Sequence, residues 1–307
     1  DMVCVTAMMF RLCVMIILVG ITASNRVYPP TKVIKLALAV SKATYLPLPS
    51  RRFIRNGAIT ENPSSLMPRR LLPLIYLPPK YEPAQDKEAC GIDGWRAKFY
   101  ENKETEVLEF IHDKQKLVVF GFRGTEPFSI SDWLGNFNLQ PGAFNINGTT
   151  VSIHKGFVKR YGYIASWFEQ EYKDVPHNYS IVLTGHSLGG AEATVAATFV
   201  AERLNRPPDA VVNFGSPYPG LLSLKKYYNK VVGCDRSVRM IAKCDPFTKV
   251  PMTVPGYTHV CEEIEVNGRT GLSFIKAHIL YQGYERGVNN KYTNINEINF
   301  GCDQMLS

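Results

Sequence analysis

An α/β fold, with a mostly parallel central sheet covered by helices on both faces, is predicted for this 307-residue chain. Three observations carry the prediction. From Trp95 onward, apolar strand-like runs alternate with helical ones, the pattern of parallel strands joined by helical crossovers. The stretch Gly185-His186-Ser187-Leu188-Gly189 lies between an apolar run, 179–184, and a small-residue helical run, 190–204. The composition, 45% hydrophobic and 20% charged, suffices for one large core or two small ones.

The N-terminus reads as an export signal. Arg11 precedes a ten-residue apolar run, 12–21, followed by Thr22-Ala23-Ser24. A short apolar core followed by small residues matches a signal peptide over 1–23, either cleaved or kept as a signal anchor. Residues 24–307 are then expected to form a single domain. Two glycosylation acceptors, Asn147-Gly148-Thr149 and Asn178-Tyr179-Ser180, suit the secretory route and a secreted product. Cys4 and Cys13 fall within the signal; Cys90, Cys234, Cys244, Cys261 and Cys302 remain. Two disulfides and one further thiol is the simplest arrangement, with the connectivity open.

The elements follow in order. Residues 32–45 have the pattern of an amphipathic helix. Between 46 and 83 the periodicity breaks at Pro47, Pro49, Pro63, Pro68, Pro73, Pro78, Pro79 and Pro83, which marks an insertion. Between positions 51 and 80, Arg51, Arg52, Arg55, Arg69, Arg70 and Lys80 against Glu61 give +5 of the total net charge of +8. Such a stretch is either a solvated basic loop or a contact for an anionic membrane surface. Nucleic-acid binding needs basic residues on a recognisable fold, and none is present. Strands are predicted over 116–122, 179–184, 210–214 and 237–243, and helices over 155–173 and 190–204. No cysteine spacing resembles a zinc site, and no cofactor motif appears.

Strand, sharp turn and helix around Ser187 are the context of a nucleophile elbow. The turn lifts the serine Oγ above the sheet edge, and glycine is needed at 185 and 189 because a β-carbon would strike the adjacent strand or helix. A serine hydroxyl needs a base, an orienting acid and an oxyanion hole before it attacks a carbonyl. Asp245 ends a predicted strand at the carboxyl edge of the sheet, where catalytic side chains gather. Asp235 and Asp209 precede their strands, at the other edge. His259 and His278 both follow Asp245, and residue order leaves the choice of base open.

These residues resemble the fungal-type class 3 lipase family of α/β-hydrolases. The resemblance rests on Phe122-Arg123-Gly124-Thr125, the elbow 185–190, Phe214-Gly215-Ser216-Pro217, and Asp245 with Val250-Pro251, and it covers about 89–283. It implies the α/β-hydrolase fold. Ala277-His278-Ile279-Leu280-Tyr281-Gln282-Gly283 matches the family's catalytic-histidine motif, which makes His278 the base and His259 structural. The oxyanion hole carries over to Thr125 and Leu188. Arg123 reads as an internal salt-bridge partner, His186 as a group packed behind the elbow, and His154 as structural.

The segment 128–134 resembles the family's short lid helix. Phe128, Ile130, Trp133 and Leu134 are large and apolar, and the last three share one face at helical spacing. The resemblance therefore implies a secreted serine hydrolase of lipid carboxylic esters at a lipid–water interface, first of all triacylglycerol, acting through Ser187, Asp245 and His278. The alternatives are a phospholipase A1 or soluble-ester esterase of the same family, or an inactive lipase-like protein that binds lipid.

Overall fold

Strand boundaries follow the continuous apolar runs closely where both sheet faces are covered. The computed structural model describes residues 29–45, 54–55, 58–59, 95–103, 105–124, 140–251, 254–268, 270 and 273–292. Its main sheet has seven strands: β3 (Trp95–Asn102), β4 (Thr105–His112), β5 (Leu117–Phe122), β8 (Ser180–His186), β9 (Ala210–Phe214), β11 (Ser237–Ala242) and β13 (Glu263–Val266). They lie side by side in the order β13-β11-β9-β8-β5-β4-β3. From β5 to β13 all neighbours are parallel, and β3 and β4 add an antiparallel edge.

Period-two alternation explains the two-sided packing. In β5, Val118, Phe120 and Phe122 enter one core while Val119 enters another; in β8, Ile181 and Leu183 oppose Val182. The first core is closed by α2 (Lys155–Asp174), α3 (Leu188–Arg203) and α4 (Leu222–Val231), through Phe157, Phe168, Val195, Phe199 and Leu224 among others. The opposite face is covered by α1 (Thr31–Ala43), whose Ile34 and Leu38 pack with Val212, Phe214 and Met240. A buried Arg160–Glu192 ion pair joins α2 to α3.

A smaller antiparallel sheet flanks the main one. It comprises β6 (Pro141–Ile146), β7 (Thr149–His154), β10 (Gly220–Leu221) and β12 (Tyr257–Thr258), in the order β12-β10-β7-β6. Asn147 and Gly148, with φ of 47° and 79°, make the two-residue turn between β6 and β7. Within 46–83, β1 (Ile54–Arg55) and β2 (Ala58–Ile59) pair antiparallel. Cys234 and Cys261 form a disulfide across 27 residues, while Cys90 and Cys302 lie outside the described residues. The export signal also lies outside them, and among the described residues no helix is long and apolar enough to cross a membrane.

Candidate active site

Ser187 stands where β8 turns into α3, at φ 55° and ψ −128°. That left-handed conformation is strained for any residue with a β-carbon and persists because the surroundings fix it. The Ser187 amide donates to Phe214 O at 2.8 Å on the neighbouring strand. A β-carbon on Gly185 would lie 2.3 Å from the Gly189 carbonyl, and one on Gly189 only 2.1 Å from Phe122 O. The elbow is thus wedged between its own helix and the end of β5. Leu188 begins α3, so its amide is among the donors that a helix leaves without an internal acceptor.

Asp245 follows β11 and caps a 3-10 turn, Pro246–Lys249, where Phe247 N donates to its Oδ1 at 2.9 Å. The Thr248 hydroxyl donates to Asp245 O at 2.9 Å and closes the turn. Oδ2 accepts from His278 Nδ1 at 2.8 Å and also from the Tyr284 hydroxyl. His278 ends a one-turn helix, α5 (Phe274–His278). Its Nε2 lies 2.9 Å from Ser187 Oγ. The carboxylate only accepts, so His278 carries its proton on Nδ1 and presents the Nε2 lone pair to the serine hydroxyl.

The three side chains predicted to act together are therefore brought into one hydrogen-bonded line, with Ser187, Asp245 and His278 all buried. His259 is not part of it. Its Nε2 donates to Thr248 O at 2.7 Å and its ring lies 4.4 Å from that of Tyr218, so it braces the turn carrying the acid. Burial, then the charge of Arg239, holds its imidazole well below the ordinary range and therefore neutral.

The back of the site is a second hydrogen-bonded line. His186 Nε2 donates to the backbone carbonyl of His278 at 2.8 Å, and its Nδ1 accepts from the Tyr45 hydroxyl at 2.8 Å. Burial, reinforced by nearby His278, keeps His186 neutral. Arg123 pairs with Glu106 through bonds of 2.9 and 2.8 Å, as an internal partner rather than a substrate contact. His154 caps α2 by accepting from Gly156 N at 3.1 Å. Thr125, Phe128, Ile130, Trp133 and Leu134 lie outside the described residues.

Tyr284, Tyr45 and Phe247 were not singled out by sequence reasoning. Tyr284 reaches Asp245 through a π-helical turn, Leu280–Glu285, which adds a residue per turn and breaks the ordinary helical spacing. The ring of Phe247 lies 4.5 Å from that of His278 and shields it.

Comparison with known proteins gives the same frame. The family model for lipase (class 3) matches residues 119–254. Secreted mono- and diacylglycerol lipase A of Penicillium cyclopium is 30% identical over 155 residues, which cover 48% of this chain and 47% of that protein. A lipase of Rhizomucor miehei is 32% identical over 118 residues, 36% of this chain and 30% of its own length. A chloroplastic phospholipase A1 of Arabidopsis thaliana is 30% identical over 156 residues, 45% and 34% respectively. The chain spans about half the length of the first of these relatives. In fold, it is similar to a crystal structure of MDLA from Penicillium cyclopium, with TM-score 0.53 and 19% identity over 76% of this chain and 78% of that one. It is also similar to lipase II from Rhizopus niveus, with TM-score 0.50 and 23% identity over 59% and 69%. The fold is that of the α/β-hydrolases.

Proposed function

We propose that this chain, whose residues 119–254 match the family model for lipase (class 3), hydrolyses lipid carboxylic esters, triacylglycerol first among them, through Ser187, Asp245 and His278. The observation that carries the proposal is the unbroken line from Ser187 Oγ to His278 Nε2 at 2.9 Å and from His278 Nδ1 to Asp245 Oδ2 at 2.8 Å. This arrangement favours catalysis over lipid binding alone, because a serine already bonded to an oriented base is ready to attack.

In the proposed reaction, Ser187 Oγ attacks the acyl carbonyl carbon as its proton passes to His278 Nε2. Asp245 holds the imidazolium that results. The tetrahedral oxyanion is met by the Leu188 amide and by Thr125. Collapse of the intermediate breaks the ester C–O bond, and His278 hands its proton to the departing alcohol. Water, deprotonated by the same histidine, then releases the acid and restores Ser187.

Phe128, Ile130, Trp133 and Leu134 are proposed as a lid that covers the site in water and turns toward lipid when open. A secretory route is part of the same proposal. It is supported by the apolar run after Arg11, the Cys234–Cys261 disulfide and relatives named as secreted lipases.

Purified protein assayed on emulsified triacylglycerol, on phospholipid vesicles and on a soluble short-chain ester tests the proposal. Hydrolysis of the emulsion, lost on Ser187→Ala, is expected. Turnover of phospholipid alone would make the chain a phospholipase, turnover of the soluble ester alone an esterase. No turnover of any ester would leave a lipid-binding protein.

A further inference from the structure

Among the described residues, three of the large apolar side chains left in solvent stand beside one buried histidine. Phe274 is 52% exposed, Ile275 59% and Tyr281 40%, while His278 between them is 1% exposed. In α5, Ala277 and His278 turn inward and Phe274, Ile275 and Lys276 turn outward. At ~1.5 Å of rise per residue, both apolar side chains start within ~6 Å of His278 along the helix axis. A scattered exposed hydrophobe needs no explanation, but three gathered at the edge of a candidate active site mark a contact surface.

The exposed charges on this stretch of chain, 273–292, have one sign. Lys276 lies between the apolar pair and the histidine, and the exposed Arg286 holds its guanidinium 5.8 Å from the Tyr281 ring. Between residues 273 and 292 the one carboxylate is Glu285, and it is ion-paired with Lys42 of α1. Apolar anchors, an amphipathic tyrosine and cations on flexible stems match the layers of a lipid surface. Acyl chains take the first, the headgroup boundary the second and anionic phosphates the third.

We propose that Phe274, Ile275 and Tyr281, with Lys276 and Arg286, form a docking rim that seats the protein on an anionic phospholipid surface with His278 directly behind it. The rim shares no residue with the segment 128–134 or with the basic stretch 51–80. The proposal rests on the lipid-ester reading of the site, because that reading gives the rim its partner.

The test is co-sedimentation of the full chain with phosphatidylcholine vesicles, with and without phosphatidylglycerol, beside turnover of a soluble short-chain ester. Wild-type protein should partition more strongly onto the anionic vesicles. Lys276→Gln with Arg286→Gln should shrink that preference by about fivefold for each cation removed. Phe274→Ser with Ile275→Ser should lower binding to both vesicle types at least about tenfold, with ester turnover kept. Ile275→Trp gives an independent reading: the new indole's emission should shift to the blue on anionic vesicles and be quenched by brominated lipid.

Unchanged partitioning of the double serine variant would overturn the rim, as would an Ile275→Trp variant whose emission is indifferent to vesicles. Equal binding of wild type to both vesicle types would overturn its anionic preference. A dimer that dissociates on the same serine substitutions would assign the patch to a second copy instead. Turnover without vesicle binding refutes the rim alone, whereas vesicle binding without any ester turnover refutes the catalytic reading alone.

Discussion

Tyr284 and His278 donate to the same carboxylate oxygen, Oδ2 of Asp245. Burial, and then the neighbouring Asp245, pushes the Tyr284 phenol well above its ordinary range, so it remains a neutral donor at every working pH. Its hydrogen bond competes with that of the imidazole for the negative charge of Asp245. Tyr284→Phe removes one of the bonds that orient this carboxylate and should cost about tenfold in kcat, the scale of one hydrogen bond to a charged group. Turnover of a soluble ester, read beside the thermal melt, checks it, because a tyrosine that only packs would lower the melting temperature and leave kcat in place.

The two histidines after Asp245 should respond differently to substitution. Ser187→Ala and His278→Ala should each lower kcat by about 10⁶-fold, with melting temperature nearly unchanged for the serine variant. His259→Ala removes the brace on Thr248 O and should lower the melting temperature while most activity survives. Turnover by the three variants, read beside their thermal melts, decides the assignment.

Trp133 tests the lid. Trp133→Ser should reduce turnover of emulsified triacylglycerol at least about tenfold more than turnover of a soluble ester. An apolar face costs ~25 cal/mol per Å² when exposed to water, and the lipid interface relieves that cost. Equal losses on the two substrates would remove the lid from the proposal.

Glu109 predicts a pH dependence of stability. It is buried on β4, paired with Lys98 at 3.4 Å, and desolvation pushes its carboxyl up to about 7. The folded state therefore holds that proton more tightly than the unfolded one. The resulting stability is full below the unfolded value of 4.5 and is lost as pH rises through about 7. Its size is at most about 3 kcal/mol, at ~1.4 kcal/mol for each tenfold gain in proton affinity. His154, His186 and His259, held neutral by burial, act oppositely and lower stability as pH falls below 6.5. The difference between wild type and Glu109→Gln isolates the carboxyl. Melts between pH 4.5 and 8 should show wild type losing stability relative to the variant as pH rises.

The Cys234–Cys261 bridge joins the turn after α4 to the approach of β13 and closes a loop of 27 residues. Loop-closure entropy puts its contribution at about 3–4 kcal/mol, so Cys234→Ser with Cys261→Ser should lower the thermal midpoint by many degrees. An unchanged midpoint would mean that the bridge does not form in solution.

Local chemistry determined much of this protein. Gly185, Ser187 and Gly189 specify an elbow because only that glycine spacing lets the backbone turn so tightly between a strand and a helix. The runs that become β5, β8, β9 and β11 were legible because two-sided burial demands continuous apolar sequence. The β3–β4 hairpin was not, since it turns at Lys103, with φ 55°, where no glycine or proline marks a turn. Asn147-Gly148 reads as a glycosylation acceptor, and the structure shows the same pair forming a hairpin turn, a second use that the triplet alone does not distinguish. Residue order left His259 and His278 equivalent as bases. The resemblance at 277–283 pointed to His278, and packing gives the physical reason: His278 is carried back over Ser187 by α5, whereas His259 is spent on Thr248 O. Tyr284 and Tyr45 lie 39 residues from Asp245 and 141 from His186, and no local pattern links partners so far apart. Those contacts exist because α1 and the C-terminal π-turn close over the same sheet face, and burial of that face decides them.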